Sequence, residues 1–331
     1  MTTTSFSGTR VKNILKSIRI PPVYYFLMVI FLGGGILDLM YGGGQIFGNP
    51  KIMMNILVRS VALGIVAVGQ TMVIIGASID LSVAYVISLT AVTASYVMQG
   101  DPANVPRAII TVFAMGAVIG LVNGLIITKL RVNAFITTLG TSLIIKGIIN
   151  STFSNWAGSV PRSFEFFGYA FLGPIPVSVI VLLLVMIVGW FVLKKTKFGA
   201  HLYAVGGNKE VSRLSGLRTH RILILAHVIC SMTAVLTGLF IVSRLRAGAP
   251  WVGPDGLYDL ESIAATVVGG TLLAGGRGGV WGTLAGVLIF SVLDTTFNQL
   301  GMNPYLTIVF RGLIVVLAVA SYTIRSKKEA A

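Results

Sequence analysis

The sequence predicts an all-α fold: a polytopic transmembrane helical bundle of about ten spans, one of them broken or re-entrant, with both termini cytoplasmic. Three observations carry this expectation. The 331-residue chain is 55% hydrophobic and only 11% charged, too little charge to clothe a water-soluble domain of that length. Its apolar residues gather in runs close to the roughly 20 helical residues that cross about 30 Å of hydrocarbon. Its Lys and Arg gather in alternate connections, seventeen in segments read as cytoplasmic against six in segments read as external, and this asymmetry orients the bundle.

The first run covers residues 23–39, after a basic segment carrying Arg10, Lys12, Lys16 and Arg19. It lacks a small-residue cleavage site and is read as a retained span rather than a removed signal. A Gly-rich stretch, 41–49, leads outside to the second run, 56–75. Gly76 to Asp80 interrupts the pattern before the third run, 81–98. The fourth run, 108–127, ends at Lys129-Leu130-Arg131, and the fifth covers 135–149. Residues 150–173 form the longest external loop; Trp156, Phe164, Phe166 and Phe167 suit a short helix at the membrane interface. The sixth run is 174–193 and the seventh 222–242. The eighth, 263–274, is short enough to be broken or re-entrant. A glycine turn, 275–279, separates it from the ninth run, 280–297, and the tenth is 305–324. The organisation is therefore a cytoplasmic segment 1–22, a transmembrane domain 23–324 with a cytoplasmic loop 194–221 inside it, and a cytoplasmic tail 325–331.

Composition also excludes. The net charge of +15 sits beside apolar runs and is not interleaved with aromatics, which argues against nucleic acid and for a membrane. The single cysteine, Cys230, permits no disulfide within the chain and no cysteine metal cluster, and reads as a small core residue. His201, His220 and His227 lack metal-ligand spacing. There is no phosphate-binding Gly-Lys loop and no nucleophile elbow. Neither catalytic, cofactor-binding nor metal residues are expected. Most of the 39 glycines are read as close-packing positions between helices. Val68-Gly69-Gln70-Thr71 and Val268-Gly269-Gly270-Thr271 echo each other weakly, as do Lys146-Gly147-Ile148 and Arg311-Gly312-Leu313, as an internal duplication would, although the spacings between the paired motifs differ.

The segment 194–221 is more than a linker. Lys209 to Ser215 can make one or two helical turns capped by Asn208, with Val211 and Leu214 on one face and Glu210 and Arg213 on another. Such a helix, ending at Gly216, suits docking into a groove on a soluble partner.

Here the chain resembles a family. Glu210 and Gly216 have the spacing of the coupling loop of ABC permeases, with Val211 and Ser212 in place of alanines. More specific stretches resemble the sugar permeases of the ribose, xylose, arabinose and galactoside class. They are Ile79-Asp80-Leu81-Ser82-Val83, Asn133-Ala134-Phe135-Ile136-Thr137-Thr138-Leu139-Gly140-Thr141, Phe198-Gly199 and Tyr203-Ala204-Val205-Gly206-Gly207-Asn208. Further on come Arg213-Leu214-Ser215-Gly216, Ile263-Ala264-Ala265, Gly269-Gly270-Thr271 and Gly275-Gly276-Arg277-Gly278. Ala77, Ser78 and Ala84 stand where that class usually has Gly, and Asp259 and Glu261 where it has Glu then Asp.

The resemblance implies the permease subunit of a bacterial ABC importer for a small sugar, a monosaccharide as in that class, set in the inner membrane. It implies three partners besides membrane lipid: an ABC ATPase that holds ATP and magnesium, a periplasmic or lipid-anchored sugar-binding protein, and a second permease copy, identical or not. Glu210, Arg213, Leu214, Ser215 and Gly216 are the expected ATPase-coupling residues. Asp80, Gln70, Asp294 and Asn298 are the candidates for the translocation path. For Asp80 a second role stands beside it, capping the helix that begins near Leu81. An ion-coupled secondary transporter is the alternative; it would use intramembrane charges such as Asp80, Asp294, Lys146 and Arg311.

Overall fold

The computed structural model describes residues 21–303, 305–313 and 316. The basic N-terminal segment before Pro21, the end of the tenth run and the tail 325–331 lie outside the described residues.

Among the described residues, seven helices are long and apolar enough to cross a membrane. In chain order the helices used below are α1 (Pro22–Leu37), α2 (Pro50–Ile75), α3 (Val83–Met98), α4 (Val105–Lys129), α5 (Ala134–Thr152) and α6 (Val177–Lys195). There follow α7 (Lys197–Gly207), α8 (Lys209–Leu214), α9 (Thr219–Leu245), α10 (Tyr258–Val268) and α11 (Val280–Gln299). Residues 305–313 are helical as well. The ten apolar runs therefore each hold a helix, and the chain is an all-α, multi-pass membrane protein. The short α3 and α10 complete the set beside the seven long helices. The long connection after α5 holds a one-turn helix, Phe166–Tyr169, where the aromatic cluster suggested one, with Phe167 packed edge-on to Phe240. A two-residue antiparallel pairing, Phe171–Leu172 with Ile175–Pro176, closes that connection.

α9 is the hub, with α2, α3 and α4 packed on it. The close approach has a sequence cause. Gly116, Gly120 and Gly124 recur every four residues along one face of α4. A methyl group at Gly120 would sit 2.7 Å from the Val228 Cα, and one at Gly124 2.7 Å from the Ile224 Cα. Backbones can touch there because no side chain intervenes, which is the main route to helix association where lipid removes the hydrophobic drive. Cys230 lies fully buried on α9, against Gly69 of α2. The opposite faces keep large apolar side chains exposed, among them Ile110 and Val118 on α4 and Leu184, Ile187 and Phe191 on α6. In water such patches would be a liability; in a bilayer they are the solvent-facing surface.

Two departures from the sequence reading bear on the site. α2 begins at Pro50, not near residue 56: Asn49 Oδ1 accepts from the Lys51 N–H at 3.0 Å and Pro50 presets the first turn. Arg59, counted among the six external charges although the 56–75 run contains it, lies within this helix. The eighth run also shifts. α10 spans Tyr258–Val268 and stops at Gly269, because Gly270 turns left-handed (φ +91°) and residues 271–279 run on as non-helical chain. This is the broken span that the short run suggested. The two echoed motifs accordingly fall on unlike backbone, Val68–Thr71 in mid-helix and Val268–Thr271 at a helix end.

Candidate functional site

The five residues expected to couple to an ATPase lie together on one short projecting element. Thr196 Oγ1 accepts from the Gly199 N–H and starts α7; Asn208 Oδ1 accepts from the Val211 N–H at 3.0 Å and starts α8. Glu210 and Arg213 pair at 2.9 Å across one turn, both well exposed, so the pair orders the surface more than it stabilises the fold. The Ser215 hydroxyl donates back to the Val211 carbonyl. Gly216 takes φ +84° and Leu217 N–H reaches the Ser212 carbonyl, the left-handed ending that glycine permits. Val211 and Leu214 are 58% and 79% exposed. Two exposed apolar side chains on a charged two-turn helix form a surface without a partner among the described residues.

Next to this element, two interruptions of the bundle meet. The Ile75 carbonyl, freed at the end of α2, accepts from the Gly276 N–H at 2.9 Å. Gly206 of α7 presses on that same carbonyl, and a Cβ there would lie 2.7 Å from the Gly276 nitrogen. The Tyr203 hydroxyl donates to the Gly278 carbonyl at 2.8 Å. α7 is thus bonded to the break before α11 and packed on the break after α2, so moving α7 moves both.

The break after α2 is itself clamped. Asp80 is fully buried; its Oδ1 accepts from the Ser82 N–H at 2.9 Å and from the Ser82 hydroxyl at 2.5 Å. α3 begins at Val83 with Ser82 as its N-cap and no side-chain cap bond, so Asp80 orders the turn ahead of the helix rather than capping a helix that begins near Leu81. Its Oδ2 lies 3.2 Å from His227 Nδ1, and His227 Nε2 lies 2.9 Å from Ser78 Oγ. With the proton on Nδ1, the imidazole donates to the carboxylate and accepts from the serine. The chain continues through Ser82 Oγ to the Asn123 amide (3.0 Å) and to Thr141 (2.6 Å). Leu81 bonds to Thr138 and Ser142 on α5. Ser78, His227 and Asp80 have the order of a hydrolytic triad, but they are 6%, 0% and 0% exposed. The arrangement ties residues 78–82 to α4, α5 and α9. An Asp80→Ala variant would strand the Ser82 donors and the His227 N–H, and is expected to cost about 2–5 kcal/mol. Thermal unfolding in detergent checks this; an unchanged melting curve would contradict it.

The path candidates separate into two places. Gln70 is enclosed in mid-α2, accepting only a long 3.5 Å bond from the Cys230 thiol, with its amide nitrogen lacking an acceptor among the described residues. Gln70 and Asp80 both lie in the packed interior. Asp294 and Asn298 instead line one cavity of about 240 Å³ with Arg59, Thr307 and Arg311. Arg311 holds both Asp294 oxygens, at 2.8 and 2.5 Å, and Glu261 Oε1 at 2.8 Å. One guanidinium therefore joins α10, α11 and the helix at 305–313. Two guanidinium groups, a carboxylate, an amide and a hydroxyl around one cavity can hydrogen-bond a polyhydroxylated solute.

Sequence reasoning named Arg311 and Glu261 separately but not as partners, and it set His227 aside as one of three scattered histidines. One signal was available: charges within membrane spans require partners, and Glu261, Asp294 and Arg311 are among the few charges in the apolar helices.

A family model described as branched-chain amino acid transport system / permease component matches residues 52–319. The chain is 36% identical to the ribose import permease protein RbsC of Escherichia coli strain K12, over 81% of this chain and 84% of that protein. It is 36% identical to the Bacillus subtilis ribose import permease protein RbsC, over 82% and 85% of the two chains. It is 35% identical to the galactose/methyl galactoside import permease protein MglC of E. coli K12, over 95% and 97%. No solved structure matches.

Proposed function

This chain belongs to the branched-chain amino acid transport system / permease component family, and from that premise we propose that it is the membrane-spanning subunit of an ABC importer for a monosaccharide. One observation carries the reading: the capped α8, with Val211 and Leu214 exposed, rides on α7, and α7 is joined to both helix breaks. The energy source is ATP hydrolysis in a partner ATPase that docks on α8. Closure of the ATPase pushes α7, and α7 shifts the ends of α2 and α11 at Ile75 and Gly276. The basic residues around α7 and α8 support a cytoplasmic position for this end of the bundle. The cavity at Asp294 and Asn298 lies at the far ends of the same two spans and offers hydroxyl-binding groups on the opposite side. A binding protein delivers the sugar there, and a second permease copy completes the path.

The sugar assignment draws on the names of the relatives, which specify ribose and galactose or methyl galactoside. The family description instead names branched-chain amino acids. Reconstituting the chain in liposomes with the ATPase and binding protein encoded beside it separates the two. ATP-dependent accumulation of labelled ribose or galactose, with leucine excluded, is expected. Leucine uptake would overturn the substrate class, and uptake driven by an ion gradient without ATP would overturn the importer.

A further inference from the structure

A second, larger cavity of about 700 Å³ opens at the α7 end of the bundle, between the start of α1, the end of α6 and the start of α11. Lys194 and Arg277 line it, and no Asp or Glu does. Neither cation has a carboxylate partner among the described residues. Its walls are aromatic: Tyr24, Trp190, Tyr203 and Trp281. The Lys194 ammonium lies 5.0 Å over the Tyr203 ring, and the Tyr203 hydroxyl is fixed on Gly278. Tyr24 donates to the Trp281 carbonyl at 3.3 Å and so pins α1 to α11.

This cavity does not stand alone. Tyr24 also lines an apolar groove of about 580 Å³ that continues along α1, between Leu27, Met28 and Phe31, and reaches Leu57 on α2 and Leu288 on α11. From Tyr24 to Phe31 the groove follows α1 for about 10 Å at 1.5 Å per residue. A cationic, aromatic-walled cavity at the helix ends therefore joins an apolar groove running into the bilayer.

We propose that this pair of cavities is a binding site for one anionic phospholipid, its phosphate between Lys194 and Arg277 and an acyl chain along α1. Charge complementarity selects the headgroup, because basic groups at the membrane surface attract anionic lipid. Trp and Tyr at the rim suit the headgroup level of a bilayer. The groove distinguishes a lipid from free phosphate, which has nothing to place there. Occupancy would brace α1 against the turn at 275–279 that receives α7.

The test uses tryptophan fluorescence of the full chain in lipid nanodiscs. Replacing Trp156 and Trp251, which meet edge-on at the other end, by phenylalanine leaves Trp190 and Trp281 as reporters. Quenching by brominated phosphatidylglycerol is expected at a roughly tenfold lower mole fraction than by brominated phosphatidylcholine, as two basic groups supply. Lys194→Gln with Arg277→Gln should erase the preference, while Lys194→Arg with Arg277→Lys should keep it, which separates charge from folding. Equal quenching by the two lipids, or a preference that survives the glutamine pair, would overturn the proposal. So would relief of quenching by soluble glycerol phosphate, which would mark a free-phosphate site, or no quenching by either lipid, as when a second protein copy covers α1.

Discussion

An Arg311→Ala variant is expected to lose about 3–5 kcal/mol of stability, the largest loss foreseen for a single side chain here. Arg311 bonds both oxygens of Asp294 and one of Glu261, and Glu261 is only 7% exposed. Removing the guanidinium leaves two carboxylates close together at low dielectric with no cation between them. The helices they lock, α10, α11 and the segment 305–313, should then separate first. The measurement is thermal unfolding in detergent with size-exclusion chromatography. A charge-free variant, Glu261→Gln with Asp294→Asn and Arg311→Met, should recover most of the loss, since paired charges add little over neutral packing once both are gone. An alanine variant that melts with the parent would show that the triad does not clamp these helices.

Glu210→Lys combined with Gly216→Pro is expected to abolish uptake while leaving the chain in the membrane. The first change turns an attraction to Arg213 into a repulsion on the exposed α8. The second cannot follow the backbone, because proline holds φ near −65° and Gly216 stands at +84°. Both positions are on the surface, so the bundle keeps its packing. Uptake should fall at least tenfold, equivalent to about 1.4 kcal/mol or more in the docking equilibrium. Membrane-fraction yield and transport measured on the same cells separate the two effects. Normal uptake would remove α8 from the coupling mechanism.

What the sequence made legible was local. Asn208, Glu210, Arg213 and Gly216 lie within nine residues, so cap, ion pair and left-handed ending could be read directly, and the structure has each of them. The Asp80–Ser82 turn bond is equally local, although the helix after it starts at Val83 and not near Leu81. Helix number followed from apolar length, which the bilayer dictates. The remainder depends on contacts that no spacing reveals. His227 meets Asp80 across 147 positions, and Arg311 meets Glu261 across 50. Arg59 was counted as an external charge although it falls inside the second run, where a long arginine can stay helical and turn its head into a polar cavity. The eighth helix was drawn too late because Leu272, Leu273 and Ala274 are apolar; the glycines at 269 and 270 end the helix before them.

The central claim is that α8 is the seat of an ATPase. Co-expression of this chain with the ATPase encoded beside it, followed by copurification in detergent, tests it most directly. The expected result is a complex that the unaltered chain forms and the Glu210→Lys, Gly216→Pro chain does not. An ATPase retained equally by both chains would contradict the docking site, and no ATPase retained by either would contradict the importer.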